Sequence, residues 1–172
     1  KMSSITIDSK KPTLCLNMIV KNESKIITRL FDSVASIIDT YCISDTGSTD
    51  DTIQIIKDYW NAKGISGKIV EEPFKNFCHN RNFAINAAKG MSDYLLLLDA
   101  DMKLEIGQFD KSLLLSADCF TILQGSESFY YSNLRIIKNN GKFNYVGVTH
   151  EYINVAEPNA KKLSMDKNIL FI

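Results

Sequence analysis

A chain of 172 residues with 45% hydrophobic content can bury a core as a single domain. Its 20 basic and 20 acidic residues cancel without any run of like charge, which argues against a nucleic-acid or anionic-membrane surface and requires a charged ligand to be met locally. The four cysteines, Cys15, Cys42, Cys78 and Cys119, lack the close pairs of a zinc site and read as buried, reduced thiols. Reduced thiols make a cytoplasmic or cytosol-facing location the expectation; no apolar segment is long enough to cross a bilayer and the first residues lack a signal-peptide core, so any membrane tether is expected to lie outside this chain.

The first two-thirds of the chain alternates strand and helix signals as a series of βαβ units does. Residues 13–20 (TLCLNMIV) form a short apolar run of strand length. A helical stripe of Ile26, Ile27, Leu30, Phe31, Val34, Ile37 and Ile38 follows, entered through Asn22, Glu23 and Ser24. Residues 40–44 return as a strand, after which Ser48 or Thr49 is the expected cap of a helix carrying Ile53, Ile56, Tyr59 and Trp60, with Asp50 and Asp51 in its first turn. Residues 68–71 read as a weaker strand. Residues 80–89 read as a helix stopped by Gly90, and residues 94–98 as a strand. Beyond Asp101 the pattern becomes antiparallel: strands are expected at 119–124, 129–137 and 143–148, the last two joined as a hairpin through Asn139-Asn140-Gly141. The chain closes on an apolar, strand-like run at 168–172. The organisation expected is a tail over 1–11 and one domain over 12–172, truncated at its C-terminal end.

The chemistry concentrates where the apolar run LLLLDADM (95–102) ends in Asp99 and Asp101, which flank Ala100. In continued strand geometry both carboxylates point to the same side at the carboxyl edge of a sheet, where α/β folds bind ligands. Such hard oxygen donors suit Mg²⁺ or Mn²⁺ bridging to a substrate phosphate. The segment SDTGSTDDT (44–52) puts Asp45 at a strand end, either in a plain β-to-α turn or as an acceptor for base or ribose donors. Arg81, at the start of a helix, suits phosphate oxygens. His79 reads as a solvated or capping residue. His150 and Glu151, after an apolar strand, are either a structural ion pair or a metal ligand beside a general base.

In order and spacing, MIVKNE (18–23), SDTGSTDDT, RNFAINAA (81–88), LLLLDAD and GVTHEY (147–152) together resemble glycosyltransferase family 2, across residues 14–153. The similarity is strongest to soluble members with the KNE opening and a late His-Glu pair. The resemblance implies the α/β fold called GT-A, a Rossmann-like mixed sheet flanked by helices with a C-terminal antiparallel portion. It further implies an inverting hexosyltransferase that moves a sugar from a nucleotide diphosphate sugar, with UDP-sugar favoured, to a hydroxyl of a glycan, protein or small-molecule acceptor. Val20, Glu23 and Ala100 would line the nucleotide-sugar pocket, Asp45 would accept from the uracil or its ribose, and Arg81 would contact the diphosphate or base. Asp99 would lie against the ribose and a water-linked metal, and Asp101 would ligate Mn²⁺ or Mg²⁺ directly. His150 would complete the metal shell and Glu151 would act as base, while Tyr130, Tyr131 and Arg135 are candidate acceptor contacts. The alternatives are a nucleotide-sugar-binding domain without turnover and, since Asp45-Thr46-Gly47-Ser48 is also the tetrapeptide of aspartic proteases, an all-β protease.

Overall fold

The computed structural model describes residues 10–126, 128–147 and 151–172. Its main sheet is built from β1 (Leu14–Val20), β2 (Thr40–Asp45), β3 (Gly67–Glu71), β4 (Tyr94–Leu97), β5 (Glu105–Ile106), β6 (Cys119–Ser126), β7 (Phe129–Lys138), β10 (Lys162–Met165) and β11 (Leu170–Phe171). A separate two-stranded sheet pairs β8 (Phe143–Val146) with β9 (Tyr152–Val155). Helices α1 (Ile27–Val34), α2 (Thr52–Ala62) and α3 (Phe77–Ala87) connect the first four strands.

The main sheet runs β3-β2-β1-β4-β7-β6-β11-β5, with β10 beside β6. The first four strands in that order are mutually parallel, whereas β7 is antiparallel to both β4 and β6. The chain winds outward from β1 to β2 and β3, then returns to place β4 on the other side of β1. The strand order therefore reverses between β1 and β4, which opens a crevice at their carboxyl ends.

Strand alternation divides the core between the two faces of this sheet. Leu14, Leu16, Met18 and Val20 pack with Leu96 and Leu98 against Leu30, Phe31, Ile56 and Trp60 of α1 and α2. On the opposite face Cys15, Cys42, Leu95 and Leu97 pack with Ile85 and Ala88 and with Phe143 and Tyr145 of β8. Burial pushes the Cys15 thiol up to about 12 and that of Cys42 up to about 11, in line with inert, reduced thiols. The same alternation turns Asn17 toward α3, where its buried amide donates to the carbonyls of Cys42 and Ala84 at 3.1 and 2.9 Å. Asn17 thereby ties β1, β2 and the helix together.

Several local expectations change. Helix α3 starts at Phe77, three residues before the expected start, because Asn76 caps it by accepting from the His79 backbone N–H at 2.7 Å. Helix α2 starts at Thr52, so Asp50 and Asp51 precede it, and neither Ser48 nor Thr49 is its cap. Asp50 turns back to accept from the Thr52 backbone, while Ser48 Oγ accepts from the Asn22 N–H. The expected hairpin of β7 with β8 does not form. Asn139-Asn140-Gly141 does make a turn, with Gly141 at φ 76°, but β7 is already flanked by β4 and β6 and the turn sends β8 across to α3. The hairpin lies one connection earlier, between β6 and β7. A parallel sheet with α2 directly after Asp45-Thr46-Gly47-Ser48 also rules out the all-β protease.

Candidate functional site

The turn after β2 forms because Asp45 Oδ1 accepts from the backbone N–H groups of Gly47 and Ser48, each at 2.9 Å, with Gly47 at φ 125°. That leaves Asp45 Oδ2 buried with no hydrogen-bond partner among the described residues, an expensive arrangement for a carboxylate oxygen. The loop after β1 is braced to this turn. Asn22, in the left-handed region at φ 53°, accepts from the N–H of Thr49 at 2.7 Å, and the Glu23 N–H donates to Thr52 Oγ1 at 2.9 Å. The carboxyl ends of β1 and β2 thus form one rigid shelf.

Asp99 and Asp101 face this shelf from the end of β4. The Asp101 side chain is exposed, and its backbone carbonyl is held by Arg29 Nη2 at 3.0 Å. Glu23 stands near both. Burial, and then the charges of Asp101, Asp50 and Asp99, raise its pKa above the ordinary carboxylate value. Negative charge is therefore concentrated around a cavity of about 460 Å³ lined by Val20, Glu23, Thr46, Arg81, Ala100 and Asp101, among others. Among the described residues no three His, Cys, Asp or Glu side chains form a closed metal cage. A hard cation at Asp101 would take its remaining ligands from phosphate oxygens and water, the usual habit of Mg²⁺. The crowding of Glu23 against neighbouring carboxylates fits such a cation.

Arg81 lies one turn into α3 and not at its start. Its Nη1 donates to Asp99 Oδ1 at 2.8 Å, and its Nε stands 3.6 Å from Glu151 Oε1. The rings of Phe77 and Tyr145 approach the guanidinium at 5.8 and 5.5 Å. Burial opposes the charge, but the two carboxylates outweigh it and hold the Arg81 pKa above its ordinary value. Arg81 and Asp99 also line a second cavity of about 430 Å³, which contains Glu151, so the two cavities meet at this ion pair. Glu151 thus enters the site at the start of the β9 arm, and its neighbour among the described residues is Arg81. His150, expected to complete a metal shell, lies outside the described residues. His79 stands apart, 3.5 Å from Glu72.

Five of the expected pocket residues, Val20, Glu23, Arg81, Asp99 and Ala100, line one cavity with Asp101, and Asp45 adjoins it through Thr46. Tyr131 and Arg135 share a network, in which Gln124 Nε2 is 2.8 Å from the Tyr131 hydroxyl and Gln124 Oε1 accepts from Arg135 Nη2 at 3.0 Å, and Arg135 also lines the second cavity with Glu151. Tyr130 is exposed, with its ring 6.0 Å from that of Phe171. The positioning roles of Asn17, Asn82, Gln124 and Tyr145 escaped the sequence reading, although Asn17 and Gln124 interrupt otherwise apolar strands and so carried a signal.

Residues 15–119 match the family described as Glycosyl transferase family 2. The chain is 32% identical over 155 residues to the SPbeta prophage-derived glycosyltransferase SunS of Bacillus subtilis, covering 83% of this chain and 35% of that protein. It thus spans about a third of the length of this relative. Among solved structures, the mannosyltransferase PcManGT of Pyrobaculum calidifontis, in complex with GDP-Man and Mn²⁺, aligns over 95% of this chain and 57% of its own, with TM-score 0.65 and 12% identity. S. aureus TarS in complex with UDP-GlcNAc aligns over 93% of this chain and 58% of its own, with TM-score 0.62 and 14% identity. These two share the fold, a mixed sheet flanked by helices with C-terminal antiparallel strands. The family match over residues 15–119, more than half of the chain, establishes that the chain belongs to glycosyltransferase family 2.

Proposed function

We propose that this chain transfers a hexose from a UDP-sugar to an acceptor hydroxyl, with inversion, by a single displacement assisted by Mn²⁺ or Mg²⁺. The observation that carries the proposal is the convergence of Glu23, Arg81, Asp99 and Asp101 on one cavity at the crevice between β1 and β4. Asp101 would hold the cation, Asp99 the ribose and a metal-linked water, and Val20, Glu23 and Ala100 the walls around the nucleotide sugar. When bound, the cation neutralises charge gathering on the departing diphosphate.

Uridine is favoured by the hydrogen-bond inventory of Asp45. One of its oxygens is committed to the Gly47 and Ser48 amides, leaving a single acceptor without a partner among the described residues. Uracil offers one ring N–H to such an acceptor, whereas guanine offers two adjacent donors that call for both carboxylate oxygens. TarS, described in complex with UDP-GlcNAc, is in line with this choice.

In the transfer itself, the acceptor oxygen forms a bond to the anomeric carbon while Glu151 takes the hydroxyl proton. The bond from that carbon to the diphosphate oxygen breaks, and its electron pair leaves with UDP. Arg81 hydrogen-bonds Asp99 at 2.8 Å and stands 3.6 Å from Glu151, so its charge faces both the donor-side and the base-side carboxylate. The test is nucleoside diphosphate release from UDP-glucose, UDP-N-acetylglucosamine and GDP-mannose with Mn²⁺, with product configuration read by NMR. Metal-dependent UDP release with inversion is expected. Retention, or release that is indifferent to metal, would overturn the mechanism.

A further inference from the structure

The second cavity, of about 430 Å³, carries more positive charge than its own carboxylates can neutralise. Its charged lining residues are Arg81, Arg135 and Lys162 against Asp99 and Glu151, three cations to two anions. Both carboxylates are taken by Arg81, at 2.8 and 3.6 Å. Arg135 is held through Nε and Nη2 by the neutral carbonyl of Gln124, at 3.2 and 3.0 Å, which fixes its plane without cancelling its charge. Gln124 is itself buried and anchored by Asn133 and Tyr131. Lys162 opens β10, opposite Cys119 of β6 in register. Among the described residues neither Arg135 nor Lys162 pairs with a carboxylate.

A pre-oriented guanidinium and an ammonium in one cavity, both spare, form an oxyanion receptor. The same cavity contains Glu151. Resting on the transferase reading above, we propose that it binds an acceptor bearing an oxyanion, phosphate or carboxylate, with the hydroxyl that receives the sugar close to that anion. The charge gives selectivity against neutral polyols, and the Gln124 network holds Arg135 ready so that little ordering is needed on binding. The donor diphosphate has its own place in the first cavity, around Asp101.

The test is an amide NMR titration of the chain with inorganic phosphate, glycerol 3-phosphate, glycerate and glycerol, with the donor site saturated by UDP and Mg²⁺. Saturable shifts at the Arg135 and Lys162 amides are expected with the anionic ligands and not with glycerol, and should weaken as salt rises. Comparing glycerol 3-phosphate with glycerate separates a phosphate from a carboxylate acceptor. Arg135→Gln should weaken binding about tenfold or more, as the loss of a charge-assisted hydrogen bond implies. Lys162→Gln, at an exposed residue, should also weaken it while leaving the fold intact. Undiminished phosphate binding in both variants, or anion shifts confined to Val20 and Thr46, would overturn the proposal. UDP binding is read separately, from its own shifts at Val20 and Thr46. If UDP fails to bind, the transferase reading fails, and phosphate titration of the free protein still decides whether the anion site exists.

Discussion

The proposed function gives the carboxylates Asp45, Glu23 and Glu151 different work, and their different surroundings make each role testable. The free oxygen of Asp45 is buried, so Asp45→Asn, which keeps the shape but can present a donor there, should weaken UDP binding by about 1 to 3 kcal/mol. Inorganic diphosphate, lacking the base, should bind equally to variant and wild type by calorimetry; equal losses for both ligands would place Asp45 at the phosphates. Glu23 is crowded by burial and by Asp101, Asp50 and Asp99, which raise its pKa in the folded state. A carboxyl whose folded pKa is raised stabilises the protein below its unfolded pKa, and that contribution is lost as pH rises through the folded value. Without divalent cation, Glu23→Gln should therefore melt higher than wild type at neutral pH, and the gap should close in acid. Melting curves across pH check this, and a pH-independent difference would assign the effect to packing. Glu151→Gln keeps the volume but cannot take a proton, so donor affinity should hold while transfer falls by roughly 10² to 10⁴-fold. Wild-type turnover in that variant would remove Glu151 from the reaction.

At the scale of elements, the site depends on how α3 docks. Asn17 fixes the helix to β1 and β2. Asn82 fixes β8 to the helix, accepting from the Tyr145 N–H at 2.6 Å and donating to its carbonyl at 2.9 Å. Tyr145 in turn lies against Arg81, and the β9 arm that pairs with β8 follows Glu151. Asn82→Ala should cost about 1 to 3 kcal/mol, the penalty for stranding the Tyr145 N–H, while the Tyr145 carbonyl keeps the Cys78 thiol at 3.1 Å. It should also lower kcat for transfer with little change in UDP affinity, because the base side moves and the nucleotide side does not. Thermal melts and steady-state kinetics on one preparation would check both, and a loss confined to UDP affinity would contradict the placement.

Across the whole molecule, the parallel half was readable because each of its elements carries its own periodicity and its own stop. The strand over residues 40–44 and the Ile26 to Ile38 stripe needed no knowledge of their partners. The antiparallel half was not readable in the same way. Asn139-Asn140-Gly141 says that the chain turns, but which strands pair depends on β4 and β6 already occupying both sides of β7. The acidic pair at 99 and 101 was visible as an abrupt end to an apolar run. Its coupling to Glu151 was not, since Arg81 reaches both across elements far apart in sequence. Likewise, the early start of α3 turns on Asn76, a capping residue set among aromatic and polar residues without helical periodicity.

Central to the proposed transfer is a cation that Asp101, at the end of β4, would hold for the nucleotide diphosphate. Isothermal titration of UDP into wild type and Asp101→Ala, each with Mn²⁺ and each with chelator, tests it directly. Asp101 is exposed and lies beyond the last residue of the strand, so the variant should fold as wild type does. Tight UDP binding is expected only for wild type with Mn²⁺, and equally weak binding in the other three arms. Mn²⁺-dependent UDP binding of the same strength in Asp101→Ala would contradict it.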